Sequence, residues 1–201
     1  MLGLTNLPDS PAPGRKRSPE KHAAILTAAA DLVAEMGYER VSMEGIAARA
    51  GVGKMTVYRR WPSKAALYVD VYADLVPPEA LAGGTGSLGG DLRHLLAALF
   101  DLYRQTPAAA VLAGVIAAAQ SDTAAKEALE SGLVSGRRGL LTGTFRRAVE
   151  RSELPVNFNG KRANDLLVAL VRHRLLTDPA GLDDAYIDTI IDTVLMLGAR
   201  P

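Results

Sequence analysis

The spacing of glycine and proline constrains this chain more than any other feature. Between residues 19 and 76, apolar residues recur with helical period in four short runs, each cut off by a residue that helices tolerate poorly. The first run, 19–36, has Ser18 as a cap, Pro19 at its opening position and Glu20 at its positive end. Ile25, Ala29, Leu32, Val33 and Met36 form its apolar stripe, and Gly37 ends it. The second run, 43–50, is capped by Ser42, carries Glu44 in its first turn and turns Met43, Ile46, Ala47 and Ala50 to one side. Gly51-Val52-Gly53 separates it from the third, 54–61, which Pro62 and Ser63 end. Ser63 caps the fourth, 64–76, and Pro77-Pro78 closes it. Two short helices joined through a glycine-containing turn make a helix-turn-helix, whose second helix can lie in the major groove of DNA.

The stretch LAGGTGSLGG at 81–90 reads as a flexible connection with a domain boundary nearby. Five further helical patterns follow, at 91–105, 107–120, 123–151, 161–176 and 184–197. Thr106-Pro107, Ser121-Asp122 and Asn159 start them, and Leu154-Pro155 and Asp178-Pro179-Ala180-Gly181 break them. No segment alternates as a strand does. The apolar fraction is 48% but the aromatic fraction only 5%, so alanine and leucine, strong helix formers, dominate. The expected fold is all-α with about nine helices. Residues 1–18, rich in proline, read as a disordered arm with a basic tip, Arg15-Lys16-Arg17. Residues 19–65 form the helix-turn-helix unit, with the fourth helix connecting to about 76, and 77–201 form a second helical unit.

Several function classes fall away. The chain has no cysteine, which excludes disulfides, thiolate metal sites and cysteine nucleophiles. Its formal charge is +3 over residues 1–70 and −2 over 71–201, so it is no bulk polycation. No run approaches the ~20 apolar residues of a membrane span, and the N-terminus lacks the apolar centre of a signal peptide; no membrane partner and a cytoplasmic location are expected. His22, His94 and His173 show no metal-ligand spacing, and Gly84-Thr85-Gly86-Ser87-Leu88-Gly89 follows no strand, so neither a metal nor a cofactor is expected. No acid–base pair or nucleophile constellation supports an enzyme.

The third helix bears the chemistry. With Val57 inward, Trp61 falls beside it, able to pack on Ile46, Ala47, Leu32 and Val33. Met55 and Arg59 then face solvent, Thr56 and Tyr58 lie on the flanks, and Lys54 stands at the N-terminal end. Arginine can fork onto guanine, threonine and methionine can meet a thymine methyl, and tyrosine and lysine can bond phosphates. An ordinary surface helix with two arginines would show the same periodicity.

Residues 25–72 resemble the N-terminal DNA-binding domain of the TetR family of transcriptional repressors. The resemblance rests on Gly37-Tyr38, Ile46-Ala47, Ala50-Gly51-Val52, Val57-Tyr58, Trp61-Pro62-Ser63-Lys64 and Leu67. YRRWPSK and DLLVALVRHRLL resemble a subgroup common among actinobacterial regulators. The resemblance implies a homodimer that binds a double-stranded, palindromic DNA operator and is released by a small-molecule effector held in residues 77–201. It implies base contacts from Lys54, Met55 and Thr56, phosphate contacts from Tyr58 and Lys64, and a cap and backbone contact from Ser42. Arg59 points toward the groove and Arg60 toward phosphate, while Arg15, Lys16 and Arg17 suit a minor-groove arm. Gly45 and Gly53 depart from the family pattern, at a cost in helix rigidity.

In the second half, Ala163, Leu166, Leu167, Leu170 and Val171 form one stripe, and Ile187, Ile190, Ile191, Val194 and Leu195 another. They read as a dimer interface or as an intramolecular core. Gly132, Gly136, Gly139 and Gly143 share a face of one long helix, which meets either a neighbouring helix or a bulky ligand. Leu99, Phe100, Tyr103, Leu112, Ile116 and Phe145 could line an apolar pocket, with His94, Arg172, His173 and Arg174 as polar contacts for an effector that has an acidic or acceptor group. The alternatives are a helical small-molecule-binding protein or enzyme with a vestigial DNA motif, and a regulator that is an activator or takes no ligand.

Overall fold

The computed structural model describes residues 19–198, with only the backbone for 133–140 and 198. The basic arm, including Arg15, Lys16, Arg17 and the Ser18 cap, lies outside the described residues. Every described element is helical. The first four helices are α1 (Pro19–Met36), α2 (Met43–Arg49), α3 (Lys54–Tyr58) and α4 (Lys64–Leu75). The boundaries of α1, α2 and α4 follow the expected punctuation to within a residue, but α3 ends at Tyr58, three residues short of the expected Trp61. Gly37 leaves α1 at φ +78° and Gly51 leaves α2 at φ +64°, conformations that a side chain would strain. The Ser42 Oγ accepts from Gly45 N at 3.0 Å, and the Ser63 Oγ accepts from Ala66 N at 3.1 Å. Gly45 leaves room for that cap: a Cβ there would lie 3.2 Å from Ser42 Oγ.

The remaining helices are α5 (Pro78–Leu81), α6 (Leu88–Gln105), α7 (Ala108–Ala118), α8 (Thr123–Ala128), α9 (Ser135–Glu150), α10 (Gly160–Thr177) and α11 (Asp184–Gly198). A π-turn, Leu129–Val134, joins α8 to α9, and a 3₁₀ turn, Pro179–Gly181, precedes α11. The described residues thus form eleven α-helices where about nine were expected. Two differences explain the count. Pro78 does not merely close α4; it opens α5, where a missing N–H costs nothing. The expected helix at 123–151 is split by the π-turn, which holds Gly132, while the side-chain surroundings of Gly136 and Gly139 lie outside the described residues. A Cβ on Gly132 would meet Val69 of α4 at 2.2 Å, so a neighbouring helix accounts for that glycine, whereas Gly143 faces Arg147 of its own helix.

The connection expected to be flexible at 81–90 is pinned instead. α6 begins three residues earlier than its pattern suggested, because Ser87 caps it through Gly90 N at 3.1 Å. Glu153 Oε2 accepts from Leu88 N at 2.5 Å, and the buried Asp91 Oδ1 accepts from Thr85 N and Oγ1 at 2.7 and 2.9 Å. Arg147 and Arg151 lie 3.7 and 3.6 Å from the other carboxylate oxygen. Burial alone would raise the Asp91 carboxyl, but the Thr85 bonds and the two guanidiniums outweigh it and hold it below its ordinary range.

One apolar cluster runs from α1 to α11. α4 is its shared wall, packed against α1 on one side and against α7, α8 and the π-turn on the other. Three contacts set the front of the chain on the rest. Tyr68 of α4 donates to the Ala29 carbonyl of α1 at 3.0 Å. Its neighbour Tyr72 shares a 2.6 Å hydroxyl–hydroxyl bond with Tyr103 of α6. Tyr38, just after α1, lies so close to Gly114 of α7 that a Cβ there would meet the ring at 2.3 Å.

Of the stripes read as interface or core on the last two helices, all but the exposed Leu195 are buried or half-buried in the core. Leu167, Ile187, Ile190, Ile191 and Val194 are buried within one protomer, and Leu166 and Leu170 are half-buried. α10 and α11 instead expose Ala169, His173 and Leu176, and Leu195 and Met196. The inward stripe was the stronger pattern because α10 and α11 must first cover α6, α7 and α9.

Two outcomes follow from this packing. Gly114→Ala should lose about 1–3 kcal/mol of stability through overpacking against Tyr38, read from urea unfolding at fixed protein concentration. Asp91 stabilises the fold fully above its ordinary value of 3.8, and that contribution fades as pH falls through its lower folded value. Asp91→Asn should therefore flatten the dependence of unfolding midpoint on pH between about 5 and 3.

Candidate nucleic-acid interface

α3 has five residues, too few to hold a helix without docking. Val57, fully buried, and Trp61, just beyond the helix, anchor it in the cluster that holds Ile46, Ala47, Leu32 and Val33. The Trp61 indole N–H donates to Asp70 Oδ2 of α4 at 2.8 Å, and the His22 ring of α1 stacks on it at 5.3 Å, 15° from parallel. Burial, with Arg60 beside it, holds the His22 imidazole below its ordinary range, so the ring stacks as a neutral group at pH 7. α3 is thus fixed at its end from both α1 and α4. On the far side of α2, Arg49 forks onto Glu35 of α1 at 2.8 and 2.7 Å.

The opposite side of α3 is open, as expected. Met55 is 71% exposed, and Lys54, Tyr58 and Arg59 are exposed beside it. Thr56 is half-buried on the flank. Arg60 is exposed, with its guanidinium 5.2 Å from the centre of the Trp61 ring. Ser42 is exposed at the start of α2, its hydroxyl engaged as the cap. The surface therefore joins three cationic side chains, a phenol and an apolar tip on a rod about 10–12 Å wide, the bore that a major groove accepts.

Two members of the expected set behave differently. Lys64, expected at a phosphate, points its ammonium at the carbonyls of Tyr38, Val41 and Glu39 at 2.9, 3.2 and 3.4 Å, and stands 4.3 Å from the centre of the Tyr38 ring. It holds the α1–α2 loop, and its three hydrogens have acceptors there. Burial lowers its pKa from the ordinary lysine value. The same loop buries Tyr38, whose phenol is pushed up to about 12 by desolvation. Tyr58, also expected at a phosphate, donates its hydroxyl to Glu44 Oε1 of α2 at 3.0 Å. Glu44 is a residue of this surface that the sequence did not mark. The contact joins positions 14 apart, and only the angle between α2 and α3 brings them together.

The expected effector pocket is less complete. Leu99, Phe100, Leu112 and Phe145 are buried in the common core, and Ile116 packs against its edge. Tyr103 is buried and bonded to Tyr72. On α10, Arg172 is half-buried but His173 is exposed on the outer face, away from these apolar residues. Arg174 pairs with Asp178 at 3.1 Å, and its guanidinium lies 4.1 Å from the centre of the Tyr186 ring. His94 lies against Gly83 and the Ala82 carbonyl. A surface groove of about 250 Å³ lies elsewhere, between α1, α4 and the α6–α7 corner, lined among others by Leu26, Asp31, Asp74 and Pro107.

Comparisons with known proteins agree with this arrangement. The profile described as "Bacterial regulatory proteins, tetR family" matches residues 25–71, and that described as "Tetracyclin repressor-like, C-terminal domain" matches 83–194. The chain is 31% identical over 188 residues to the DNA-binding transcriptional repressor TetR of Mycobacteroides abscessus, across 92% of this chain and 97% of that protein. It is 29% identical over 179 residues to the HTH-type transcriptional regulator YdeS of Bacillus subtilis, across 89% of each. The crystal structure of the TetR family transcription regulator SCO0332 superposes with a TM-score of 0.75 at 31% identity, covering 90% of this chain and 100% of that one.

Lys64→Met should lose about 1–3 kcal/mol in urea unfolding, because three loop carbonyls lose a charged donor. Lys64→Arg should not restore it, since a planar fork cannot reproduce three converging bonds from one nitrogen.

Proposed function

Because this chain belongs to the TetR family of bacterial transcriptional regulators, we propose that it is a homodimeric repressor that leaves a palindromic operator when a small molecule binds its second helical half. The observation that supports this reading most is the outward side of α3, open to solvent while Val57 and Trp61 hold the helix from behind. Arg59 forks onto a guanine, and Met55 and Thr56 touch thymine methyl groups. Lys54 also reaches the bases, Arg60 and Tyr58 bond phosphates, and Ser42 meets the backbone at the start of α2. Arg15, Lys16 and Arg17 run along the minor groove. Lys64 acts one step back, by holding the loop from which α2 starts. The repressor reading has further support in the name of the Mycobacteroides abscessus relative.

Residues 19–65 are the DNA-binding unit and 77–201 the effector-binding and dimerisation unit, with the end of α4 between them. Two copies meet through the outward faces of α10 and α11, which leave Ala169, His173 and Leu176 and, on α11, Leu195 and Met196 exposed. Twofold symmetry then sets the two α3 helices on half-sites about 34 Å apart, or a multiple. The effector enters the region of Leu99, Phe100, Leu112 and Phe145, with Arg172 supplying polar recognition. A shift of α6 reaches α4 through the Tyr103–Tyr72 bond, and α4 carries α3 with it through Asp70 and Trp61. Release requires the effector to prefer the conformation that fits DNA less well. The protein acts in the cytoplasm and without catalysis.

The test is footprinting of the purified protein on the DNA upstream of its own gene, with random duplex as competitor. Protection of two related half-sites supports the proposal, and equal binding to random DNA overturns it. Arg59→Ala should cost about 1–3 kcal/mol on the operator and relax preference at one base position. Arg60→Ala should weaken all duplexes alike and reduce the salt slope of binding by about one.

A further inference from the structure

The hydroxyl of Tyr58 on α3 donates to Glu44 Oε1 of α2 at 3.0 Å. Both side chains are exposed, and Tyr58 lies on the surface that carries Lys54, Met55 and Arg59. A phenol has one proton to give. That proton cannot serve a carboxylate and a phosphate together, and the two anions repel each other across the short distance that sharing would require. The bond to Glu44 raises the pKa of the Tyr58 phenol, so the hydroxyl stays protonated and remains a donor for whichever acceptor holds it. The two residues are otherwise free to part. Glu44 stands in the exposed first turn of α2, and the cap that holds that turn is Ser42, not Glu44.

We propose that Glu44 is a latch on the DNA-reading surface: it occupies the Tyr58 hydroxyl in the free protein and must let go before Tyr58 can bond a DNA phosphate. The proposal rests on the reading of α3 as the DNA-binding helix and adds a residue that works against binding. Its effect is independent of base sequence, because phosphates carry no sequence information. Glu44 therefore lowers affinity for operator and random DNA alike and leaves base preference to Lys54, Met55, Thr56 and Arg59. Reach and charge can be separated. Aspartate at this position keeps the charge but is one methylene shorter, while glutamine keeps the reach and loses the charge.

The experiment is a fluorescence-anisotropy titration of a random-sequence DNA duplex at low salt. It uses the full chain as wild type, Glu44→Asp and Glu44→Gln, each also combined with Tyr58→Phe. Glu44→Asp should bind about threefold to tenfold tighter than wild type, the range that one hydrogen bond supplies. With Tyr58→Phe, the gain from Glu44→Asp should vanish, and Glu44→Gln should keep only the part due to lost charge. Urea unfolding of each variant should match wild type within a small margin, since Glu44 is exposed. Unchanged or weaker binding by Glu44→Asp overturns the latch, as does a gain that persists with Tyr58→Phe. A wild-type chain that binds no duplex at low salt overturns the DNA-binding reading beneath it; a wild type that binds while Glu44→Asp gains nothing overturns the latch alone.

Discussion

The burial of Val57 and Trp61 is the contact on which the rest depends. A five-residue helix has no stability of its own, since helix nucleation is costly and short segments melt. α3 exists because these two side chains enter the core laid down by α1 and α2, a burial worth about 2–3 kcal/mol for each large apolar side chain. Once both are inside, the helical period leaves no choice about which residues face out. Lys54, Met55, Tyr58 and Arg59 are on the surface because Val57 and Trp61 are not. The bond from the Trp61 indole to Asp70 and the His22 stack then turn a hydrophobic anchor into a fixed orientation.

α4 extends that orientation through the molecule. It takes the Trp61 bond near its middle, donates from Tyr68 to α1, and meets α6 through the Tyr72–Tyr103 pair. It also packs along α7, α8 and the π-turn. The apolar cluster therefore does not stop at the end of the helix-turn-helix. α4 is tied to the end of α3 through the Trp61–Asp70 bond, so the two share one packed interior.

What could be read from the chain follows from how local each signal is. Caps, glycine stops and proline starts act within four residues, so α1 to α4 and the caps at Ser42, Ser63 and Asn159 were legible. The inward side of α3 was legible for the same reason, as was the all-helical class. The connection at 81–90 was misread because its glycines suggested freedom, while the groups that pin it, Asp91 and Glu153, include one more than sixty residues away. The π-turn at Leu129–Val134 left no compositional mark. Lys64 looked like a cation for DNA because a lysine beside a recognition helix carries no sign of three carbonyls folding back over it. The stripes on α10 and α11 showed that something covers them, but periodicity cannot say whether the cover is the same chain or a second copy.

The sequence by itself determined α1, α2 and α4, the turn before α3, and which side of α3 would face outward once the helix is docked. These depend on backbone propensity and on a period of 3.6, which are properties of neighbouring residues. The tertiary structure alone decided that Glu44 meets Tyr58, that Lys64 supports a loop, that Tyr72 meets Tyr103, and that the apolar stripes of the last two helices belong to the core. Each of those joins residues from different elements of the chain. Their distance is set by the angles at which helices cross and by where α4 lies, and those follow from the packing of the whole core.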